Sequence, residues 1–509
     1  MLVQNGLQEN SLRQPEKVAL VCGCRRSTYS ELNSTADRLA TAMQDIGVCR
    51  GDRVAILLPN VLESVVALFA TLKCGAAFVA INDSTKPEKL SDILHDCEPV
   101  VVVTNASLAA RGKVEAACRS LNRRAAIICT GDPAVLDVRG CLSYERIQQT
   151  FPASPIAVEA NPEDLACLIY TSGSIGEPKG VMCSHESMVF VAASVISYLE
   201  NTEADVIMNV LPLSFSYGLY QALMAFTFGG TLVLERSFAY PAVLLERIAK
   251  EQVTGLPGVP SIFAVLLRMD LTAFDLSSLR YMTNAAAALP PAHIQELRRR
   301  LPWVKLFSMY GLTETKRALY LPAEQIDRRP GSVGIAIPGT EVWIEDEIGN
   351  RLGPNQIGEL IVCGRHVMQG YWRAPEATAA RFRPGLRPRE RICRTGDLFR
   401  MDDEGYLYFV SRKDDVINTR GEKVAPREVE AVLHRMDGVA EAAVLGVQDP
   451  LLGQAVKAVL VADTARVNRV RVLAHCRANL EEYMVPKYVE FRSELPKTAS
   501  GKVLRRSLL

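Results

Sequence analysis

Apolar positions recur along this chain at two alternating periods. Tyr29 to Ile46 (YSELNSTADRLATAMQDI) carries them at helical spacing, with Ser30 placed to cap the first turn. Arg53 to Leu58 is a short apolar run that reads as a buried strand, and Pro59-Asn60 as the turn after it. Val61 to Cys74 returns to the helical period and Ala77 to Ile81 to a strand. The strand signature repeats at Val100 to Thr104, Ala125 to Cys129, Val206 to Leu211 and Thr231 to Leu234, between helices. Such alternation predicts an α/β fold, with parallel or mixed sheets flanked by helices.

From Val342 to Val362, and again from Leu398 to Val410, the texture changes to short strands with glycine-containing turns, a small β-rich subdomain. Ser411-Arg412-Lys413-Asp414-Asp415 is a polar, charged break. Beyond it the pattern predicts a strand–turn–helix over Asp415 to His434, strands at Ala442 to Val447 and Ala455 to Val461, and a helix over Val467 to Leu480. This α+β module of roughly 100 residues is large enough for its own core. We therefore expect an N-terminal domain over 1–411 and a small C-terminal domain over 412–509.

Composition narrows the function. Lys plus Arg number 58 against 57 Asp plus Glu, so no global field draws the chain to nucleic acid. The start, MLVQNGLQEN, lacks a basic segment followed by an apolar core, which argues against a secretory signal. The apolar stretch Val65 to Ile81 is cut by Lys73 and is short for a bilayer, so no integral membrane association is expected. Thirteen cysteines without framework spacing read as buried small hydrophobes in a reducing compartment, and six histidines show no metal-ligand spacing. A cytoplasmic protein is the expectation. No oligomeric state follows from these features.

The most informative stretch is Leu168 to Val181, LIYTSGSIGEPKGV. An apolar strand enters a loop with three glycines, several hydroxyls and a lysine. Glycines let backbone N–H groups approach an anion, hydroxyls donate hydrogen bonds, and lysine brings a mobile charge. This is a polyphosphate site in its chemistry, although Gly-Lys-Ser/Thr is absent and it is not a Walker A loop.

The loop resembles the signature of the adenylate-forming superfamily: acyl-CoA synthetases, aryl-CoA ligases, luciferases and the adenylation domains of peptide synthetases. Further motifs stand in that family's order: Tyr310-Gly311-Leu312-Thr313-Glu314, Gly358-Glu359-Leu360, Arg394-Thr395-Gly396-Asp397-Leu398, the break at 411–415, Gly421 to Glu430, and Pro496-Lys497-Thr498-Ala499-Ser500-Gly501-Lys502. The resemblance covers essentially the whole chain from Thr28-Tyr29-Ser30-Glu31-Leu32 onward. It implies a large adenylation domain, a β-rich subdomain and a mobile C-terminal domain. One departure is Ile175, where the family usually has threonine. A lost neutral hydrogen bond costs about 0.5–1.5 kcal/mol, which weakens nucleotide binding without abolishing it.

What the resemblance implies about roles follows residue by residue. Thr171, Ser172, Gly173, Ser174, Gly176 and Lys179 would hold the phosphates of ATP. Tyr310 would lie against the adenine, Gly311 would belong to the nucleotide site, Thr313 would donate to the α-phosphate, and Glu314 would bind Mg²⁺. Asp397 would accept the ribose hydroxyls, with Arg412 near the ribose. Lys502 would be the catalytic cation, Asp414 the hinge of the small domain, and Gly421 the point where a pantetheine arm passes close to backbone. The implied reaction joins a carboxylic acid to AMP with release of pyrophosphate, then passes the acyl group to a thiol. That thiol is CoA, or alternatively the phosphopantetheine of an acyl carrier protein. A non-catalytic binding paralogue is the remaining alternative.

The acid pocket should be lined by Phe215, Ser216 and Tyr217, by Gly258, by Ala285 and Ala286 in an alanine run reaching Ala288, and by Met309. Amino-acid-activating relatives have an aspartate where Ser216 stands, and an α-ammonium here would lack its charged partner. Many acyl-CoA synthetases have histidine at the position of Phe215, which speaks against a simple short-chain acid. The alanine run suggests a small apolar floor that suits a fatty or aromatic acid. Lys316 and Arg317 read as solvated, with contact to a second carboxylate or a carrier's phosphate as the alternative.

Overall fold

The first long helix spans Tyr29–Asp45, and its start shows how the local sequence fixes it. The Glu31 N–H donates to Thr28 Oγ1 at 3.2 Å, and the Thr28 N–H donates to Glu31 Oε2 at 2.9 Å. Thr28 is therefore the cap, not Ser30, because only Thr28 has a glutamate three positions on to complete the capping box. The computed structural model describes residues 1–110, 114, 118, 125–131, 141–156, 159–172, 178–385, 387–419, 422–449, 452–498 and 503–508.

This helix packs on the helix Leu62–Lys73. Lys73, which interrupts the apolar stretch in sequence, is buried there, with its Nζ 2.7 Å from Asp37 Oδ1 and 2.8 Å from Asn33 Oδ1. Burial lowers the Lys73 pKa, and Asp37 opposes the shift by favouring the charged form. Removing one partner of such a pair leaves an uncompensated buried charge. Asp37→Ala is expected to destabilise the protein by about 3–5 kcal/mol, while Asp37→Leu with Lys73→Met restores most of the loss. Denaturant titration checks this; equal midpoints for the single and double variants would mean that the pair is not what matters.

The chain divides into two compact units: Met1–Asp327 with Ala336–Glu341 and Cys363–Cys393, and Arg328–Ile335 with Val342–Val362 and Arg394–Leu509. Two large sheets build the first unit. One runs, in spatial order, Gly370–Tyr371, Pro178–Ser184, Leu165–Ser172, Ala77–Ile81, Arg53–Leu57, Val101–Asn105, Ala126–Thr130 and Cys141–Ser143. The central strands are parallel, as the βα alternation predicts, and Leu57, Ile81, Ile93, Leu94 and Leu168 fill one core beside them. The other sheet runs Leu319–Leu321, Lys305–Tyr310, Tyr281–Asn284, Gly255–Gly258, Val206–Asn209, Thr231–Leu234, Val18–Cys22 and Arg25–Thr28. Val206–Asn209 stops two residues before the expected Leu211, because Asn209 Oδ1 accepts from the Leu211 N–H at 3.1 Å and turns the chain.

In the second unit, Arg391–Met401 pairs antiparallel with Leu407–Arg412, mostly within that unit, in the segment expected to be β-rich. The C-terminal module has the strands Ile417–Thr419, Glu422–Val424, Val439–Asp449, Gly453–Ala462 and Tyr488–Phe491 in one sheet, with helices Pro426–His434 and Arg469–Asn479. Its core is its own: Ile417, Val429, Leu433, Val444, Leu460 and Cys476 pack together. Most cysteines of the chain are buried, and all are free thiols. No helix among the described residues is long and apolar enough to cross a membrane.

Candidate active site

Parallel strands in the second sheet of the first unit deliver three of the expected segments side by side. Gly258 pairs with Asn284, and Asn284 with Ser308, so Gly258, Ala285 and Met309 sit near neighbouring carboxyl ends, where ligands of open α/β sheets bind. After Tyr310 the chain folds back on itself. The Thr315 N–H donates to Leu312 O at 3.0 Å and the Ala318 N–H to Tyr310 O at 2.9 Å. A Cβ on Gly311 would stand 2.2 Å from Lys316 O, so only glycine admits this turn.

The turn presents Glu314 half-buried, with Thr313 beside it. The Tyr371 hydroxyl donates to Glu314 Oε1 at 2.6 Å, and the Met368 N–H donates to the Glu314 carbonyl at 2.9 Å. Burial, reinforced by the Glu314 charge, pushes the Tyr371 hydroxyl far up, so it stays a donor. Lys179 Nζ lies 5.5 Å from the centre of the Tyr371 ring. Lys179 faces Thr171 across the antiparallel pair Leu165–Ser172 and Pro178–Ser184, and the backbone of Ser172 faces Pro178. Lys179 and Glu314 thus meet at Tyr371, with Thr171 opposite Lys179 in the strand pair. Gly173, Ser174, Gly176 and the departure at Ile175 lie outside the described residues. Among the described residues no cluster of three or more His, Cys, Asp or Glu could hold a metal. A single carboxylate such as Glu314 is compatible with Mg²⁺, which takes one or two carboxylates plus substrate phosphates.

Tyr371 was not among the expected site residues. Nothing in its local sequence marks it; its place comes from the pairing of Gly370–Tyr371 with Met182 and Val181 on the strand that leaves the phosphate loop.

Lys316 and Arg317 correct a second expectation, because neither is solvated: their exposures are 1% and 6%. The left-handed backbone of Lys316, φ +57°, turns this stretch inward. Lys316 Nζ donates to Cys183 Sγ at 2.9 Å in the interior. Burial alone would raise the Cys183 thiol, but the facing Cys167 and the Lys316 ammonium outweigh it and bring it down to about 6. The Lys316–Cys183 contact therefore ties the phosphate-loop strand to the loop that carries Glu314.

Arg317 lies over the Tyr217 ring, 4.4 Å from its centre, and donates through Nη1 to Lys316 O at 2.9 Å. It lines a narrow internal cleft with Leu199, Tyr220, Gln221, Thr283 and Met309. Tyr217 borders this region through its hydroxyl, which is 2.8 Å from Thr283 O and 2.6 Å from Thr283 Oγ1. Of the expected pocket residues only Met309 lines the cleft itself. Phe215 precedes the helix Ser216–Phe228 as its N-cap, and Ser216 opens it. Ala285 is buried and Ala286 half-buried at φ +72°, but Ala287 and Ala288 are exposed, so the alanine floor is shorter than its sequence suggests.

Within the second unit, the motifs at 358–360, 394–398 and 411–415 converge on one turn. Asp397 is buried, opposite Arg412 in the strand pair, with Arg412 Nε 3.2 Å from its Oδ1. Glu359 organises the approach: Arg394 Nη2 donates to it at 2.9 Å, the Gly396 N–H donates at 2.9 Å, and Lys413 Nζ stands at 3.6 Å. These contacts outweigh burial and hold the Glu359 carboxyl below its usual range. Thr395 Oγ1 donates to Leu360 O at 2.7 Å, which locks the same turn. Glu359 thus holds Arg394 and the Gly396 N–H, the residues on either side of Thr395 just before Asp397.

Asp414 lies exposed in the short turn Lys413–Asp415. Gly421 and Lys502 lie outside the described residues. The base of the Lys502 loop is tied, since Lys497 pairs with Val503 and the Leu504 N–H donates to Pro496 O at 2.8 Å. Leu495 and Leu508 are buried with Ala443, Leu445 and Val459.

The AMP-binding enzyme family matches residues 7–372, and the AMP-binding enzyme C-terminal domain matches residues 428–502. A long-chain-fatty-acid–CoA ligase of Bacillus subtilis (strain 168) is 32% identical over 538 residues, which cover 100% of this chain and 94% of the relative. A feruloyl-CoA synthase of Amycolatopsis sp is 33% identical over 496 residues, 96% of this chain and 95% of the relative. The crystal structure of ATP-bound MatB from Rhodopseudomonas palustris superposes with a TM-score of 0.90 at 29% identity, covering 100% of this chain and 98% of that one. With the motifs in order, the fold matched end to end and the family covering most of its length, the chain belongs to the AMP-binding enzymes, the adenylate-forming superfamily of AMP-forming acid–CoA ligases.

Proposed function

We propose that this enzyme activates a fatty or aromatic carboxylic acid with ATP and passes it to CoA. The acid's oxygen attacks the α-phosphorus and pyrophosphate leaves. The CoA thiolate then attacks the acyl carbon of the adenylate and AMP leaves. Relatives that are ligases for a long-chain fatty acid and a synthase for feruloyl-CoA support both the acid class and the acceptor. The phosphopantetheine thiol of an acyl carrier protein is the second acceptor.

The observation that carries the reading is Glu314, fixed by Tyr371 at 2.6 Å and set on the same ring as Lys179. A carboxylate held next to a phosphate-loop lysine suits a cation-bridged triphosphate. Thr171, Ser172, Gly173, Ser174, Gly176 and Lys179 hold the phosphates in this account, Thr313 donates to the α-phosphate and Glu314 holds Mg²⁺. The ion, when bound, neutralises phosphate charge. Tyr310 contacts the adenine, Gly311 belongs to the nucleotide site, and Asp397 with Arg412 takes the ribose. Lys502 neutralises the charge that gathers where carboxylate and α-phosphate meet. Buried free thiols support a reducing, cytoplasmic setting.

Residues 412–509 act as the mobile domain, with Asp414 as hinge and Gly421 beside the thiol's path. Asp414→Pro, which fixes φ, is expected to spare adenylate formation while blocking thioester formation. Separate assays of pyrophosphate exchange and CoA consumption check this, and equal loss of both would rule out hinge use. The acid itself is identified by a panel of carboxylic acids in a pyrophosphate-release assay with and without CoA. Release with fatty or aromatic acids and a CoA-dependent thioester is the expected result; no release with any acid would overturn the reading.

A further inference from the structure

We infer that Arg317 is a specificity residue for the far end of the acid, and that the preferred substrate carries a second, anionic oxygen group there, most simply a second carboxylate. The inference rests on the acid-activating reading above and narrows its substrate class. Two independent observations in one cleft carry it. First, the Arg317 side chain is buried, yet no carboxylate among the described residues pairs with it; its contacts are the Lys316 carbonyl and the face of Tyr217. A guanidinium out of water without a counter-charge is costly, and arginine's planar fork suits a carboxylate. Second, the Tyr220 hydroxyl on the same cleft is buried and has no hydrogen-bond partner among the described residues. Burial drives its pKa upward, so it stays a donor. An orphan phenol and a guanidinium without a counter-charge along one cleft leave donors for a ligand's anionic oxygens.

The cleft belongs to the acid side of the site, since Met309 and Thr283 line it and both lie on strands that end there. It is closed in this structure, with no room for a water molecule, and the flexible Met224 and Met309 side chains are the walls that an occupant would displace. Neighbouring polar groups are otherwise satisfied. Thr283 Oγ1 is bonded to Tyr217, and Gln221 Nε2 donates to Tyr217 O at 3.1 Å.

The test compares matched acids of equal length, one with a methyl end and one with a carboxylate end, aliphatic and aromatic, in ATP–pyrophosphate exchange. In the unaltered enzyme at least one diacid should exceed its monoacid partner in kcat/KM by about 10-fold or more, and Arg317→Met should lower that ratio by about 10- to 100-fold, the range for a lost charge-assisted hydrogen bond. The shift should appear chiefly in KM, and Arg317→Lys should recover part of it. Monoacids preferred in every pair would overturn the inference, and so would a ratio unmoved by Arg317→Met, which would mark the arginine as structural. The comparison within the unaltered enzyme decides the matter even if the variant fails to fold. Exchange with no acid at all would instead defeat the acid-activating reading itself.

Discussion

Lys502→Ala is expected to lower acid-dependent ATP–pyrophosphate exchange by ~10²-fold or more, the loss seen when a donor to developing charge is removed. A carboxylate and a triphosphate are both anions, so bringing them together concentrates negative charge at the α-phosphorus. A flexible lysine that reaches both oxygens relieves that charge where it forms. The substitution should leave the fold intact. The segments on either side of the loop are held by the Lys497–Val503 pairing and by the burial of Leu495 and Leu508 in the module's core. Circular dichroism and melting near those of the unaltered protein, together with the collapsed exchange rate, are the expected pair of results. Near-normal exchange would remove Lys502 from the chemistry.

Gly311→Ala should damage catalysis from the other side. Its new Cβ would meet Lys316 O at 2.2 Å and Arg317 Cα at 2.9 Å, both backbone atoms that no rotamer change can move. The loop from Gly311 to Arg317 must open, carrying Thr313 and Glu314 out of place and straining the Lys316–Cys183 contact. Misplacement of reacting groups by about 1 Å costs ~10²-fold, and a loss of that order in kcat/KM with secondary structure preserved is expected. Retained turnover would show that the turn tolerates a side chain and that its tightness does not set the position of Glu314.

Much of the architecture was legible because it depends on local patterns. The βα alternation through residue 234 appears where apolar periodicity puts it, within a residue or two, whereas the strand that carries Asp397 begins at Arg391, seven residues before the expected Leu398. Elsewhere, where bounds slipped, a side chain had intervened: Thr28 took the cap through Glu31, and Asn209 ended a strand early. The motif residues were legible because short polar sequences with fixed order are unusual. What supports them was not. Tyr371 reaches Glu314 only through sheet pairing, and Glu359 reaches Gly396 across a span of 37 positions. Lys316 and Arg317 misled for the same reason. Two consecutive basic residues after a turn normally face water, and only the left-handed backbone at Lys316, with the facing Cys183, turns them inward. The paired carboxylate of Lys73 was equally hidden, because Asp37 stands on another helix.

The central claim is that the acid's own oxygen becomes bonded to the nucleotide's α-phosphorus. An acid labelled with ¹⁸O in its carboxylate, turned over with ATP and CoA, tests this directly by mass spectrometry of the nucleotide product. The account predicts one labelled oxygen in AMP and none in pyrophosphate, because the thiol breaks the acyl carbon–oxygen bond and leaves that oxygen on phosphorus. Unlabelled AMP, or label recovered in inorganic phosphate with ADP as the nucleotide product, would contradict it.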